Sequence, residues 1–177
     1  MILGVVLAGG QARRFGSDKA LAMLGGQTLL ERAVARLTDW CGRVVVVGRA
    51  EAPVETLADW PGPGMGPLGG LAAALRLARE EGFDAVLSCG VDAGLLPDDL
   101  PARLGKAPAY VADQPVIGLW PASACEAIAA ILQGNGRHSM KALAAAVGAR
   151  AVDLPGGTAN INTRADLAAL ANGLESD

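Results

Sequence analysis

Histidine occurs once in these 177 residues, and aromatic side chains are limited to three Trp, two Phe and one Tyr. The lone imidazole, His138, lies between Arg137 and Ser139. That setting suits a surface or capping position, and no Ser-His-Asp or Cys-His set remains for nucleophilic catalysis. So few rings offer few stacking platforms for nucleic acid. A net charge of −3 also withholds the basic face that a phosphate backbone requires. Cys41, Cys89 and Cys125 are an odd set with no zinc spacing, as expected of reduced thiols. No apolar run reaches membrane-spanning length, and Met1 to Ala8 has neither the charged start nor the length of a signal peptide. The expectation is a cytoplasmic protein that binds neither nucleic acid nor membrane.

Small aliphatic residues and glycine are plentiful. Apolar residues make up 51% of the chain, so with few rings the core must be built from Ala, Val and Leu. The length suits a single domain over residues 1–177, large enough for a sizeable core.

The most informative stretch is Leu7-Ala8-Gly9-Gly10-Gln11-Ala12-Arg13-Arg14-Phe15-Gly16-Ser17-Asp18-Lys19. It follows an apolar run, Ile2 to Leu7, with the character of a buried strand. Where the strand stops, adjacent glycines free backbone N–H groups to close on an anion. Arg13, Arg14 and Lys19 add three cations in the same loop, so a polyanion such as a nucleoside triphosphate is the natural guest. A Gly-Gly pair alone is as readily a turn, and basic loop residues are as readily solvated surface. Their order within one loop favours the anion site. Gly16 is followed by Ser17, so this is not a Walker loop.

Further along, Thr28 with Glu31 forms a capping-box pattern before a helix over 28–39, and Arg43 to Val47 is a four-valine strand. Strand, helix, strand predicts a parallel sheet with a right-handed crossover. Gly64, Gly66 and Gly69 spell a dinucleotide fingerprint, with Asp84 at about the right distance. No strand precedes these glycines, however, and Asp84 opens the next strand rather than closing it. Pro67 instead suits the first turn of a helix reaching about Glu81. Phe83 to Cys89 is a third strand, and Asp92 lies just past its carboxyl end, where open α/β sheets bind ligands. Short helices over 98–104, 122–133 and 139–147, strands over 109–112, 115–120 and 150–154, and a last helix from Thr163 complete the pattern. The fold class is α/β: a three-layer α/β/α sandwich around a Rossmann-like, mostly parallel sheet.

Leu-Ala-Gly-Gly-x-x-x-Arg-Phe-Gly-x-Asp-Lys resembles the signature loop of nucleotidyltransferases that activate small phosphorylated compounds, and Ala-Arg-Arg before Phe-Gly is most similar to the molybdenum cofactor guanylyltransferase family. The resemblance continues through Gly66-Pro67-Leu68-Gly69-Gly70, Asp92 and Asn160-Ile161-Asn162-Thr163-Arg164-Ala165-Asp166-Leu167 over nearly the whole chain. Two departures stand out. Val91-Asp92-Ala93-Gly94 replaces the usual Cys-Asp-x-Pro, and Arg164 replaces a proline.

The resemblance implies GMP transfer from GTP to the terminal phosphate of molybdopterin, with release of pyrophosphate. It implies a nucleotide site of Leu7, Ala8, Gly9, Gly10, Lys19, Asp59 and Asp92, with Lys19, Arg14 and Asp92 in catalysis. Arg14 is preferred to Arg13, since adjacent side chains cannot both face one ligand easily. Asp92 would hold Mg²⁺, with Mn²⁺ as a substitute, and Asn160 and Asn162 would bind the pterin. The strand pair near 109–120 would carry the acceptor pocket. GTP and molybdopterin are the implied small-molecule partners, with transient contact to other cofactor-biosynthesis or acceptor proteins. Asp59 reads equally as a solvated loop carboxylate. Val46-Val47-Gly48-Arg49 lacks the asparagine that guanine-selective relatives place there, so a cytidylyltransferase acting on the same pterin stays open. A sugar- or alditol-phosphate nucleotidyltransferase is a second rival, and a non-catalytic nucleotide-binding regulator is a third.

Overall fold

Period-two burial in the first strand, β1 (Ile2–Leu7), sets the architecture. Leu3 and Val5 are fully buried toward one layer of helices and Val6 toward the other. The same alternation divides Val45 and Val47 from Val44 and Val46 in β4 (Arg43–Val47). Strands buried on both faces read as continuous apolar runs, as parallel strands between helical layers do. The computed structural model describes residues 1–9, 18–155 and 161–174. The expected site residues Gly10, Arg14 and Asn160, and Arg13 beside them, lie outside these.

After β1, a 3-10 turn (Lys19–Leu21) leads into a small hairpin of β2 (Met23–Leu24) and β3 (Gln27–Thr28). Helix α1 (Leu29–Thr38) follows, closed by the capping box of Thr28 and Glu31. It returns the chain to β4, parallel to β1. The two-residue β5 (Thr56–Leu57) extends that side of the sheet. It is too short for a periodicity to mark it. Helix α2 (Gly66–Glu81) starts with Pro67 in its first turn and crosses to β6 (Ala85–Gly90) on the far side of β1. Asp84 precedes β6 and pairs with the N-terminal ammonium. That position is incompatible with a ribose-reading acid at a strand's end.

The remaining elements are α3 (Leu100–Leu104), β7 (Ala109–Val111), β8 (Gly118–Pro121), α4 (Cys125–Gln133), α5 (Met140–Ala146), β9 (Arg150–Val152) and α6 (Arg164–Leu174). Several are shorter than their patterns suggest. Pro115–Ile117 belongs to the turn before β8, and residues 122–124 form a 3-10 turn ahead of α4. Seven of the described strands form a sheet in the order β5-β4-β1-β6-β8-β7-β9, with β8 alone reversed. Helices α2, α4 and α5 cover one face and α1 and α3 the other. The mostly parallel three-layer sandwich expected from the sequence is the observed architecture.

The chain leaves β1 for β4 on one side and then crosses to β6 on the other. That reversal opens a crevice at the carboxyl end of β1, the usual ligand position in such sheets.

Candidate functional site

Leu7 pairs with Val47 of β4 and with Gly90 of β6. Three chain segments therefore leave the sheet at one edge: Ala8-Gly9, Gly48-Arg49 and Val91-Asp92. Gly48 adopts φ +89°, and a Cβ there would stand 2.3 Å from the Cα of Gly9. The two loops touch backbone to backbone, and only glycine meets both the left-handed conformation and the closeness.

Lys19 opens the 3-10 turn after the first loop, and its ammonium lies 2.8 Å from Oδ2 of Asp92. Both side chains are mostly buried, at 15% and 17% exposure. Burial raises the Asp92 carboxyl above its ordinary range, against the hydrogen bond and charge of Lys19 and a smaller contribution from the Ile161 N–H. Oδ1 of Asp92 is buried with no hydrogen-bond partner among the described residues. An unpaired carboxylate oxygen at a strand end has the donor chemistry of a hard divalent cation. Asp92 therefore fits as one carboxylate ligand of a magnesium ion.

Asp92 occupies a 3-10 turn, Val91–Leu95. Where the sequence resemblance leads to the expectation of Pro, Gly94 lies against α1, and a Cβ there would stand 2.7 Å from Cβ of Arg32. The departure from the family pattern thus has a packing reason, and the carboxylate keeps its place at the sheet edge.

Two cavities meet at this edge. One, of about 420 Å³, is lined by Leu7, Gly9, Val47, Asp59, Pro67 and Gly70 among others. The other, of about 240 Å³, is lined by Gly90, Asp92, Gln114 and Ile117 among others. Val116 borders both. Asp59 is partly buried, and desolvation raises its carboxyl. Asn162 is exposed and directly follows Ile161, which is buried in a small cluster with Leu24 and Leu29. Its backbone N–H donates to Asp166 Oδ2 at 2.9 Å, and the Thr163 N–H to the same oxygen at 2.8 Å. Thr163 Oγ1 accepts from the Asp166 N–H, so the capping box forms with Asp in place of Glu, and no proline is needed to start α6.

Among the expected site residues within the described segments, Leu7, Gly9 and Asp59 share one cavity wall, while Lys19 pairs with Asp92 at the other. Ala8 holds the edge through its N–H to the Val47 carbonyl, 2.9 Å. The sequence pattern did not point to Arg49, whose guanidinium engages both oxygens of Asp18, or to Ser88, a fully buried hydroxyl bonded to the Val116 carbonyl. A cation one residue past the end of a four-valine strand was a usable signal for Arg49, but its partner lies 31 residues away. His138 is exposed, and Nε2 lies 3.0 Å from the Gly134 carbonyl oxygen, well apart from this edge in the chain.

A model of the MobA-like NTP transferase domain matches residues 4–152. The molybdenum cofactor guanylyltransferase of Acidiphilium cryptum is 38% identical, over 92% of this chain and 90% of its own. That of Rhodobacter capsulatus is 35% identical, over 94% and 93%. Among solved structures, molybdopterin-guanine dinucleotide biosynthesis protein A from Archaeoglobus fulgidus superposes with a TM-score of 0.73 at 22% identity, covering all of both chains. The 2-C-methyl-D-erythritol 4-phosphate cytidylyltransferase from Thermus thermophilus superposes with a TM-score of 0.64 at 19% identity, covering 97% and 98%. At those identities the structures speak to the fold.

Proposed function

We propose that this chain, which belongs to the MobA-like NTP transferase family, transfers GMP from GTP to the terminal phosphate of molybdopterin and releases pyrophosphate. A phosphate oxygen of the acceptor forms a bond to the α-phosphorus, and the bond from that phosphorus to the bridging oxygen of the pyrophosphate breaks. The acceptor is already ionised near neutral pH, so no general base is required. The reaction instead requires charge neutralisation and alignment of two anions. Lys19 and Arg14 oppose triphosphate charge, and the amides near Gly9 and Gly10 cradle it. Asp59 reads the base in the larger cavity, whose walls include Leu7. Asp92 would hold Mg²⁺, or Mn²⁺ in its place, through the unpaired Oδ1, and the ion would neutralise phosphate charge. The smaller cavity receives the pterin, which Asn160 and Asn162 help to bind, and residues 1–177 act as one catalytic domain.

The observation that carries this reading is a pair of cavities that share Val116, the smaller of them lined by Asp92, which Lys19 engages. Among the described residues, no helix is long and apolar enough to cross a membrane. Incubation with each of the four NTPs, Mg²⁺ and molybdopterin, followed by pyrophosphate detection, tests the proposal. Release with GTP is expected. Release with CTP alone would make the chain a cytidylyltransferase, and none with any NTP would leave a nucleotide-binding module.

A further inference from the structure

A continuous line of charged contacts runs across three neighbouring strand ends, from Arg49 after β4, through Asp18 in the chain beyond β1, to Asp92 after β6. Arg49 Nη1 donates to Asp18 Oδ1 at 2.9 Å, and Nη2 lies 2.7 Å from Oδ2. Asp18 Oδ1 also accepts the Ala20 N–H at 3.1 Å, which caps the turn that Lys19 opens. Lys19 then reaches Asp92. Because Asp18 and Lys19 are consecutive, this turn cannot shift without carrying the ammonium with it.

We propose that Arg49 is a positioning residue for Lys19, acting through Asp18. A lysine is a point charge on four rotatable carbons, so its placement depends on how firmly its backbone is held. The planar guanidinium fixes direction as well as distance when it meets a carboxylate with two parallel bonds, which an ammonium cannot do. Asp18 remains 45% exposed, so the pair adds little to overall stability and its consequence is alignment. Among the described residues, the buried Nε of Arg49 has no hydrogen-bond partner, and the side chain is held at this place by the Asp18 fork.

This inference rests on the role proposed for Lys19, and a double-substitution cycle separates the two. Pyrophosphate release from GTP with Mg²⁺ and molybdopterin would be measured for Lys19→Ala, Arg49→Met, Arg49→Lys, Asp18→Asn and the Arg49→Met/Lys19→Ala pair. Arg49→Met should lower kcat by roughly ten- to a hundredfold, with the KM for GTP nearly unchanged. Arg49→Lys should remain impaired. In the Lys19→Ala background, Arg49→Met should cause no further loss. Losses that multiply, full activity in Arg49→Lys, or an effect confined to KM would overturn the inference and point to direct contact between Arg49 and nucleotide. Wild-type turnover in Lys19→Ala would instead remove the role of Lys19. Should Arg49→Met fail to fold, Asp18→Asn takes its place in the same cycle, with the same outcomes deciding.

Discussion

Trp120 Nε1 donates to Ser88 Oγ at 2.9 Å, and the Ser88 hydroxyl donates onward to the Val116 carbonyl at 2.7 Å. Ser88 and Trp120 are both fully buried, so water cannot replace the bond between them. The relay pins the residue that borders both cavities. Ser88→Ala strands the buried indole N–H, which costs about 1–3 kcal/mol for a buried group left unsatisfied. Urea denaturation should show the midpoint falling by that equivalent with an unchanged slope. An unchanged midpoint would mean that the relay contributes nothing to stability.

Gly48→Ala tests the contact between the two phosphate-side loops. The left-handed φ alone makes alanine unfavourable by more than about 1 kcal/mol. The methyl would also collide with the Gly9 backbone. Both Tm and GTP affinity should fall, because Gly9 must move to make room. Calorimetric titration showing wild-type affinity would separate Gly9 from nucleotide binding.

These two contacts show where sequence reasoning stopped. Amphipathic periodicity, the Thr28–Glu31 box, Pro67 and the valine runs were legible because each is local and each has one dominant physical reading. The placement of Asp92 on the same edge as Gly9 was legible as well, since parallel strands present their carboxyl ends together. Ser88 was not, because a serine within an apolar strand carries no sign of the indole 32 residues away that needs it. Asp18–Arg49 was hidden for the same reason. Gly94 could be seen as a departure, but its cause, the close approach of Arg32, emerges only when α1 packs against the turn. Val116 borders both cavities through tertiary position alone.

Asp59→Asn should trade base discrimination for stability. Burial raises the folded-state pKa of Asp59, so its contribution is most favourable below the unfolded carboxylate pKa and is lost as pH rises through the folded value. Near neutral pH the charged form is a cost, and the neutral amide removes it. Unfolding free energy should therefore be equal or higher for Asp59→Asn at pH 7, with that advantage vanishing as pH falls below about 4. If the carboxylate accepts from N1–H and the 2-amino group of guanine, the wild type should prefer GTP to ITP and the variant should lose that preference by roughly tenfold or more. Retained GTP-over-ITP preference would assign base reading to other groups.

Asp92→Asn addresses the divalent cation. An amide keeps the shape of the side chain but loses the charge that attracts a hard cation and answers Lys19. The Mg²⁺ concentration needed for half-maximal activity should rise by roughly tenfold or more, while far-UV circular dichroism stays native. An unaltered Mg²⁺ titration would place the ion elsewhere. Because the Lys19 partnership is weakened at the same time, maximal turnover at saturating Mg²⁺ should fall too, and the two effects are read from the two axes of one titration.

Asn162→Ala asks whether the C-terminal segment belongs to the acceptor. The backbone at Asn162 is held by Asp166 and by the burial of Ile161 beside Leu24 and Leu29, so truncating its exposed side chain leaves those anchors in place. Lost stability should stay within about 0.5 kcal/mol, as for surface substitutions in general. Titrations of the two ligands should then diverge. GTP affinity should match the wild type, since the larger cavity is lined by β1, β4 and the segment that opens α2. Affinity for molybdopterin should fall by roughly ten- to a hundredfold if the amide hydrogen-bonds a buried pterin edge, because the polar group left facing it would be unpaired. Equal losses for both ligands would instead mean that the substitution acts through Asp92, which the Ile161 N–H neighbours. A molybdopterin affinity like that of the wild type would take Asn162 out of the acceptor site.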